Sequence, residues 1–395
     1  MTERDQESEW ESNGTVGCVP KSALPSDLVR VLDWLRSHLS EPINLERLAL
    51  VAGVRPRTLE THFRSFLGTT PLGWVRRMRL VSARRDLERG RAHARVTDIA
   101  LANGFSQLGR FAADYRAVFG ETPSMTLRGS RRSPDGSNQP VDDEALRLTW
   151  EAMPHVFAIA PRECGEALEA LENARRLAPN YGLPVALAAW CWGQRAAHGF
   201  SATPQKDRDH GLQLVARACT LAPNDALALT LASGALTLSH RLEEADRLLE
   251  RALAVDPWLP YAWVRRGWAS VYAGDPEAAF RELKIALYLT PFGPMRHIAF
   301  IGMGCAHFAS GRYERAARWV RSGTEALPGA IWADRIGVAA AVHAGATAEA
   351  RRMAKRLMRK DPNLTVARAR KAWPFPPAFM AHLSDGLQIA GVPRS

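Results

Sequence analysis

The chain contains 395 residues with a formal net charge of +11; 46% of the residues are hydrophobic and 24% are charged. These fractions exclude collagen-like and intrinsically disordered chains, and the length predicts two or three domains at about 150 residues each. No apolar run approaches the roughly 18 residues of a membrane helix, and the acidic N-terminus lacks the pattern of a signal peptide. The five cysteines lie far apart, without a C-x-x-C pair, which argues against a disulfide framework or a structural zinc site.

The positive charge is concentrated near the N-terminus. Residues 26–132 contain 19 arginines, no lysine and ten acidic residues, a net charge of +9, whereas residues 161–395 spread the same excess over more than twice that length. Arginine can donate two hydrogen bonds at once to a phosphate group and can also contact guanine. The dense basic block therefore favours contact with nucleic acid. A solvated arginine-rich surface would give the same charge, so charge alone leaves both interpretations open.

Apolar residues recur at helical spacing along almost the whole chain, and no run alternates as a β-strand would. We therefore predict an all-α fold. Composition divides it into a flexible acidic tail over 1–25, a first domain over 26–128, a linker rich in Gly, Ser and Pro over 129–142, and a second domain over 143–395.

The second domain is periodic. A helical pattern that ends in an apolar residue and a proline recurs at intervals of 34 to 44 residues, at Pro179, Pro223, Pro257, Pro291, Pro328 and Pro362. Small residues stand at regular offsets within these units, and Gly274, Gly311 and Gly345 fall where two helices of a unit would be separated. The pattern resembles the tetratricopeptide (TPR) repeat over residues 144–371, which implies an α-solenoid of about six units. We expect an insertion near 199–209 and a final amphipathic helix within 373–395.

Two short segments of the basic block have the spacing of a helix-turn-helix. In residues 44–63, NLERLALVAGVRPRTLETHF, Gly53 lies at the turn and Pro56 fits the first turn of the second helix. Residues 97–115, TDIALANGFSQLGRFAADY, repeat this arrangement with Gly104 at the turn. Because the two turn glycines lie 51 residues apart, a long helix can separate the two units.

An ordered set of residues runs through both units. It comprises Leu45, Leu48, Ala49, Gly53, Leu59, Phe63, Gly68, Pro71, Arg79, Leu80 and Ala83 in the first half, and Ile99, Ala100, Gly104, Phe105, Phe111, Tyr115, Gly120 and Pro123 in the second. This set resembles the DNA-binding domain of AraC/XylS-type transcriptional regulators, from about residue 27 to 128. The resemblance implies a rigid central helix over about 71–89 that holds two recognition helices about 34 Å apart, for two successive major grooves. It also implies promoter DNA and RNA polymerase as partners.

The resemblance places candidate DNA-binding residues around both recognition helices, over about 56–66 and 107–118. They are Arg55, Arg57, Thr58, Glu60, Thr61 and Arg64 in the first, and Gln107, Arg110 and Arg116 in the second. Arg57 could contact guanine, Glu60 the amine of cytosine, and Thr61 either a base or a thymine methyl group. Arg64 stands where a basic residue would meet phosphate. Glu60 could instead form only an ion pair with Arg57 or Arg64.

Two further positions distinguish the recognition helices. Gly109 and Ala113 occupy places in the second helix that commonly carry longer side chains. We therefore expect the first helix to supply most of the sequence specificity and the second to contact mainly the DNA backbone. Arg55 replaces the serine that often caps the first helix, and Arg79 of the central helix is expected to be structural rather than a DNA contact.

The inner face of the predicted solenoid is largely apolar and aromatic. Its candidate partner-binding residues are Tyr261, Arg265, Trp268, Phe308, Trp332 and Arg335. Solenoids of this kind bind partners on the concave face. We expect a hydrophobic peptide, a partner helix or self-association there, and the chain's own C-terminal segment is the alternative occupant.

The sequence lacks the H-E-x-x-H, G-x-S-x-G and phosphate-loop motifs of catalytic and metal sites. We expect no enzymatic activity, no cofactor, no metal and no membrane contact. The prediction is an AraC-type transcriptional regulator, cytoplasmic and associated with the nucleoid, whose TPR domain recognises a partner or signal or dimerises. The alternative is a TPR scaffold or co-regulator whose DNA binding is weak and largely non-specific.

Overall fold

The computed structural model describes residues 25–67, 69–88, 94–119, 121–131, 141–289, 295–327 and 330–395. Within this part of the chain the secondary structure consists of 21 α-helices, without a β-strand, as the sequence predicts. None of those helices is both long and apolar enough to cross a membrane. The predicted acidic tail, up to residue 24, and residues 132–140 of the predicted linker lie outside the described residues.

Seven helices form an N-terminal module. They are α1 (Ser26–His38), α2 (Leu45–Ala52), α3 (Pro56–Leu67), α4 (Pro71–Glu88), α5 (Val96–Ala102), α6 (Leu108–Phe119) and α7 (Pro123–Arg131). α4 is the long central helix that the sequence predicts. Its 18 residues extend over about 27 Å at 1.5 Å per residue.

The N-terminal module has two hydrophobic cores, one for each helix-turn-helix unit. α1, α2 and α3 surround the first core, and α5, α6 and α7 surround the second. α4 contributes to both, with Trp74, Val75 and Met78 in the first and Leu80 and Leu87 in the second. Burial on two sides explains why the apolar residues of α4 do not follow a single stripe. The central helix therefore fixes the two units relative to each other.

Fourteen further helices form the second part of the chain. They are α8 (Asp143–Ala158), α9 (Pro161–Leu177), α10 (Gly182–His198), α11 (Pro204–Leu221), α12 (Ala226–Leu238), α13 (Leu242–Val255), α14 (Pro260–Ala273), α15 (Pro276–Leu289), α16 (Arg296–Ala309), α17 (Tyr313–Ala326), α18 (Ile331–His343), α19 (Thr347–Lys360), α20 (Val366–Ala372) and α21 (Pro377–Ile389). The helices from α8 to α19 form six consecutive pairs, which are TPR-like repeats. The expected insertion lengthens α10 and α11 to 17 and 18 residues, so that only residues 199–203 connect them.

Small residues allow the helices of a repeat to approach closely, as the offsets in the sequence predict. A Cβ atom at Gly267 would lie 2.5 Å from the side chain of Leu283, and one at Gly304 would lie 2.6 Å from that of Val320. Both distances are well inside van der Waals contact. The first helices of three pairs, α10, α12 and α16, are almost completely buried, and α12 and α16 read as nearly continuous apolar runs.

The repeat array curls until its second helix pair contacts the last pair and the segment that follows it. His198 at the end of α10 lies 5.6 Å from Trp332 of α18, measured between ring centroids, and Arg368 Nη2 donates to the carbonyl oxygen of Gly199 at 2.9 Å. The C-terminal segment lies against the inner face: Trp373 contacts Trp332, and α21 packs on α18. The inner face is therefore an aromatic interior in this structure.

The N-terminal module docks directly on the repeat array. Ile285 of α15 is buried within the first core of that module, and the Tyr288 hydroxyl donates to Asp33 Oδ1 at 2.9 Å. Trp258, just before α14, stands edge-on to Trp74 with ring centroids 5.6 Å apart. A contact between α13 and α6 adds a second point of attachment. The two parts of the chain are thus joined by packed side chains as well as by the chain itself.

The turns inside the repeats suggest a stabilising substitution. Gly274, Gly311 and Gly345 adopt φ values of 80°, 70° and 84° at the end of the first helix of their pairs, whereas the exposed residue His240 has φ 65° at the same point. A side chain in this left-handed region costs about 1 kcal/mol. We expect His240→Gly to raise the free energy of unfolding by about 0.5–1 kcal/mol, measured by urea denaturation of the full chain.

Gly311→Ala is the matched control, since a Cβ atom there meets nothing within 4 Å and only the backbone conformation resists it. It should lower the free energy of unfolding by about 1 kcal/mol. Two changes of the same sign would contradict a conformational origin.

Candidate nucleic-acid interface

The first helix-turn-helix unit has a tight left-handed turn. Asn44 caps α2, because its Oδ1 accepts the amide of Arg47 at 2.8 Å. α2 ends at Gly53, with φ 68°, and the amide of Val54 donates back to the carbonyl oxygen of Ala49 at 3.2 Å. α3 then begins at Pro56, whose missing amide hydrogen is not needed in a first turn. The predicted turn and start of the helix are both confirmed.

The second unit repeats this geometry. Gly104 has φ 78°, and the amide of Phe105 donates to the carbonyl oxygen of Ala100 at 3.0 Å. Asn103 is buried and donates to Asp86 Oδ2 at 3.0 Å and to the carbonyl oxygen of Ile99 at 2.9 Å. The side chains of Phe111, Tyr115 and Phe119 form a ladder along the inner face of α6. The outer face of α6 is left for other contacts.

Arg79 of α4 and Arg30 of α1 bind backbone carbonyl groups of neighbouring segments. Arg79 donates from Nε to the carbonyl oxygen of Leu39 at 2.7 Å, from Nη1 to that of Gly104 at 2.9 Å and from Nη2 to that of Glu41 at 2.5 Å. Its burial lowers the pKa of the guanidinium below the usual value. Arg30 binds the carbonyl oxygen of Ala52 at the end of α2. Arg79 therefore has a structural role, as expected. It connects the backbone at the turn of the second helix-turn-helix unit to the segment that follows α1.

Polar contacts with neighbouring helices hold both predicted recognition helices in place. His62 Nδ1 of α3 lies 2.7 Å from Oδ2 of the buried Asp27 in α1. Arg76 Nε of α4 donates to Asp114 Oδ2 of α6 at 2.5 Å. Each recognition helix is thus fixed on its inner side, by residues (Asp27, His62 and Asp114) for which the sequence predicts no role. Their helical spacing alone carries no signal of these contacts, because each partner lies on another helix.

The predicted DNA contacts on α3 and its first turn lie on the outer face. Arg55, Arg57, Thr58, Thr61 and Arg64 are exposed, and Glu60 is half-buried. Within the described part of the chain Glu60 forms no ion pair with Arg57 or Arg64. Thr61 Oγ1 donates to the carbonyl oxygen of Arg57 at 2.9 Å, so its methyl group is free to face outward. The structure therefore keeps these cationic groups available.

The predicted contacts on α6 are also accessible. Gln107, Arg110 and Arg116 are exposed, and no ion pair involves either arginine among the described residues. A Cβ atom at Gly109 would meet nothing within 4 Å. The missing side chain at Gly109 therefore leaves an open surface.

The six predicted partner-binding residues are largely enclosed. Tyr261, Arg265, Trp268, Phe308 and Arg335 are buried and Trp332 is half-buried. The C-terminal segment covers part of this face: Phe379 lies 4.9 Å from Phe308 between ring centroids, and Arg335 stacks on Trp373. The C-terminal segment therefore covers the part of the predicted groove around Phe308, Trp332 and Arg335, and this segment is the alternative occupant that the sequence left open. Aromatic side chains on both surfaces explain this, because joining them removes apolar area from water.

Metal and disulfide chemistry find no support among the described residues. No group of three or more His, Cys, Asp or Glu side chains is arranged to hold a metal ion there. Cys164, Cys191, Cys219 and Cys305 are free thiols, and three of them are buried.

Comparison with known proteins identifies the N-terminal module. Residues 48–129 match a family model described as "Helix-turn-helix domain". The XylDLEGF operon transcriptional activator of Pseudomonas putida is 44% identical over 104 residues, which cover 26% of this chain and 32% of that protein. Residues 48–129 are an AraC-type helix-turn-helix domain. A probable AraC family transcriptional regulator from Rhodopseudomonas palustris CGA009, with a solved structure, is 36% identical and matches 26% of this chain and 96% of that one, with a TM-score of 0.26.

The remainder of the chain has other neighbours. A tetratricopeptide repeat protein from Parabacteroides merdae ATCC 43184 is 14% identical, with a TM-score of 0.36 over 62% of this chain and 100% of that one. The match to the Pseudomonas activator spans about a third of that protein's length. That match covers the AraC-type domain and not the TPR-like repeats, so the combination of the two is inferred from the sequence and structure of this chain.

The hydrogen bonds of Arg79 lead to a stability prediction for the AraC-type domain. Arg79→Met keeps the length of the side chain but leaves three carbonyl oxygens without their donor. We expect a loss of about 3 kcal/mol in the free energy of unfolding, because hydrogen bonds from charged groups contribute about 1.5–3 kcal/mol each and are partly replaced by water here.

The measurement is thermal and urea unfolding followed by tryptophan fluorescence, since Trp74 lies in the first core. Arg110→Met serves as the control, because its exposed side chain should leave stability within about 0.5 kcal/mol of the unmodified protein. Equal losses for both variants would argue against the structural role of Arg79.

Proposed function

We propose that this protein is a sequence-specific DNA-binding transcriptional regulator of the AraC type. The supporting observation is the division of arginines within the AraC-type domain. Arg76 and Arg79 of α4 donate to a carboxylate or to backbone carbonyls, whereas Arg57, Arg64, Arg110 and Arg116 are exposed and have no ion pair among the described residues. Unpaired guanidinium groups on the outer faces of both recognition helices suit phosphate and base contacts on duplex DNA.

The two helices are assigned different tasks in this proposal. On α3, Arg57 reads guanine, Glu60 accepts from the amine of cytosine, and Arg64 binds phosphate, with Arg55, Thr58 and Thr61 alongside. On α6, Gln107, Arg110 and Arg116 bind mainly the sugar-phosphate backbone of the DNA. Glu60 is half-buried and unpaired within the described chain, which leaves its carboxylate able to accept a hydrogen bond from a base.

The TPR-like array receives the signal in this proposal. The array touches the AraC-type domain through Ile285 and Tyr288, on the core side of α3. A change in the array can therefore reach α3 through packed side chains, without passing through the linker. Promoter DNA and RNA polymerase are the proposed partners, and the site of action is the cytoplasm, on the nucleoid. Enzymatic activity plays no part in the proposal.

Salt-dependent binding of purified protein to random and genomic DNA tests the assignment. We expect enrichment of an element of about 17–20 bp that spans two major-groove segments. Arg57→Ala should cost about 1–3 kcal/mol on that element and relax the preference at one base pair. Arg64→Ala should weaken all DNA sequences equally and reduce the slope of log K against log salt by about 1.

Arg162→Ala is the matched control, since Arg162 is a highly exposed arginine on α9, outside the AraC-type domain. It should change neither affinity nor salt slope. A lack of enrichment, with equal binding to all DNA, would reject specific recognition and favour a scaffold or co-regulator with weak DNA binding. A preference that changes with Arg110→Ala but not with Arg57→Ala would reverse the roles of α6 and α3.

A further inference from the structure

The interior of the repeat array contains a buried arginine without a counter-charge. Arg265 of α14 is only 5% exposed, and its Nε and Nη2 atoms have no hydrogen-bond partner among the described residues. No carboxylate of the described chain forms an ion pair with it. Its guanidinium faces the ring of Trp190, 4.7 Å from the centroid. Burying an unpaired charge is costly, so a folded protein that keeps one normally supplies a partner.

Other unpartnered polar atoms lie on the same two helices, α14 and α10. The hydroxyl of Tyr261, the indole Nε1 of Trp190 and both amide atoms of Gln194 are buried without a hydrogen bond within the described part of the chain. Tyr261 stands one helical turn before Arg265, and Gln194 stands one turn after Trp190. α14 and α10 meet over Gly234 of α12, where a Cβ atom would lie 2.6 Å from the ring of Trp190 and 3.4 Å from Arg265 Nε. The small residue thus allows the two helices to bring these groups together.

Nearly all of the unsatisfied atoms are hydrogen-bond donors. The guanidinium of Arg265 and the indole of Trp190 can only donate, and Gln194 adds an amide donor beside its one acceptor. Burial raises the pKa of Tyr261 to about 12, so its hydroxyl keeps its proton at neutral pH. An excess of hydrogen-bond donors around a fixed positive charge favours a ligand that is negatively charged and rich in hydrogen-bond acceptors.

The surroundings restrict the anion to a small carboxylate. Within the described part of this interior, Arg265 is the one buried guanidinium without an ion pair, because the other buried arginine, Arg335, pairs with Asp361 at 2.9 Å. A single positive charge balances a monoanion better than a doubly charged phosphate. The neighbouring side chains are aromatic, with Phe157 5.3 Å from Tyr261 between ring centroids and Trp268 and Tyr272 further along α14. We propose that the array binds a small monocarboxylate with an apolar or aromatic body, held by Arg265, Tyr261, Gln194 and Trp190.

Enclosure of the site favours a small molecule over a peptide. Trp373 and Phe375 of the C-terminal segment are buried on the same interior, where Phe375 contacts Tyr272. A peptide would have to displace this segment, whereas a small ligand needs only a local opening. The residues predicted from sequence to bind a protein partner, Tyr261 and Arg265 among them, therefore serve a different class of ligand in this proposal.

The test uses the full-length protein, dialysed free of carboxylates, and measures thermal unfolding with formate, acetate and phenylacetate. Arg265→Met is compared with Arg266→Met, whose arginine pairs with Asp246 and Glu282 outside this site. We expect the midpoint temperature of the unmodified protein and of Arg266→Met to rise saturably with at least one carboxylate. In Arg265→Met the apparent affinity should fall at least about tenfold, because charge-assisted hydrogen bonds are lost. Phenylacetamide, the uncharged analogue, should have no effect.

Several outcomes would overturn the proposal. One is the absence of any response of the unmodified protein to all three carboxylates at millimolar concentration. Another is an equal response of Arg265→Met or an equal effect of phenylacetamide. A third is a strong destabilisation of Arg265→Met without ligand, since replacing an unpaired buried charge by an apolar side chain should be neutral or stabilising. These readouts involve no DNA and are independent of the proposed regulatory function.

Discussion

The guanidinium of Arg79 joins the two halves of the AraC-type domain. It donates to carbonyl oxygens of Leu39, Glu41 and Gly104, which belong to segments on opposite sides of α4 in the sequence. Hydrogen bonds to backbone groups fix the positions of chain segments rather than of flexible side chains. The orientation of α3 relative to α6, and with it any match to successive grooves of DNA, therefore depends on this one side chain and on the rigidity of α4.

The helices of the repeat array are held together differently. Small residues let them pack closely, whereas Arg79 of the AraC-type domain acts through hydrogen bonds. Glycines such as Gly267 and Gly304 bring paired helices together, and the first helices of the pairs then face inward with large aromatic side chains. Closure of the array converts this face into an interior. Such an interior removes apolar side chains from water. It leaves buried polar side chains, such as Arg265 and Gln194, with atoms that have no hydrogen-bond partner among the described residues.

Local features of the sequence predicted local structure well. The turns at Gly53 and Gly104 and the breaks at Gly274, Gly311 and Gly345 were predictable, because a positive φ leaves few alternatives to glycine. Contacts between distant residues were not predictable. Arg368 binds Gly199 across 169 positions, and Tyr288 binds Asp33 across 255, and no periodicity specifies such pairs. The filled inner face and the docking surface both depend on contacts of this kind, and the accessible arginines of α3 and α6 were predicted through family resemblance.

α14 has two faces that belong to different parts of the protein. Trp263 packs against the core of the AraC-type domain, while Tyr261 and Arg265, two residues away on either side, point into the array. Any coupling carried by such a helix must act in both directions, since linked binding equilibria are reciprocal. A molecule in the array that tightened the hold on DNA would itself be held more tightly on DNA, by the same factor. The operator would then act as an effector of the array, and the protein would retain its small ligand longest at the promoters it occupies.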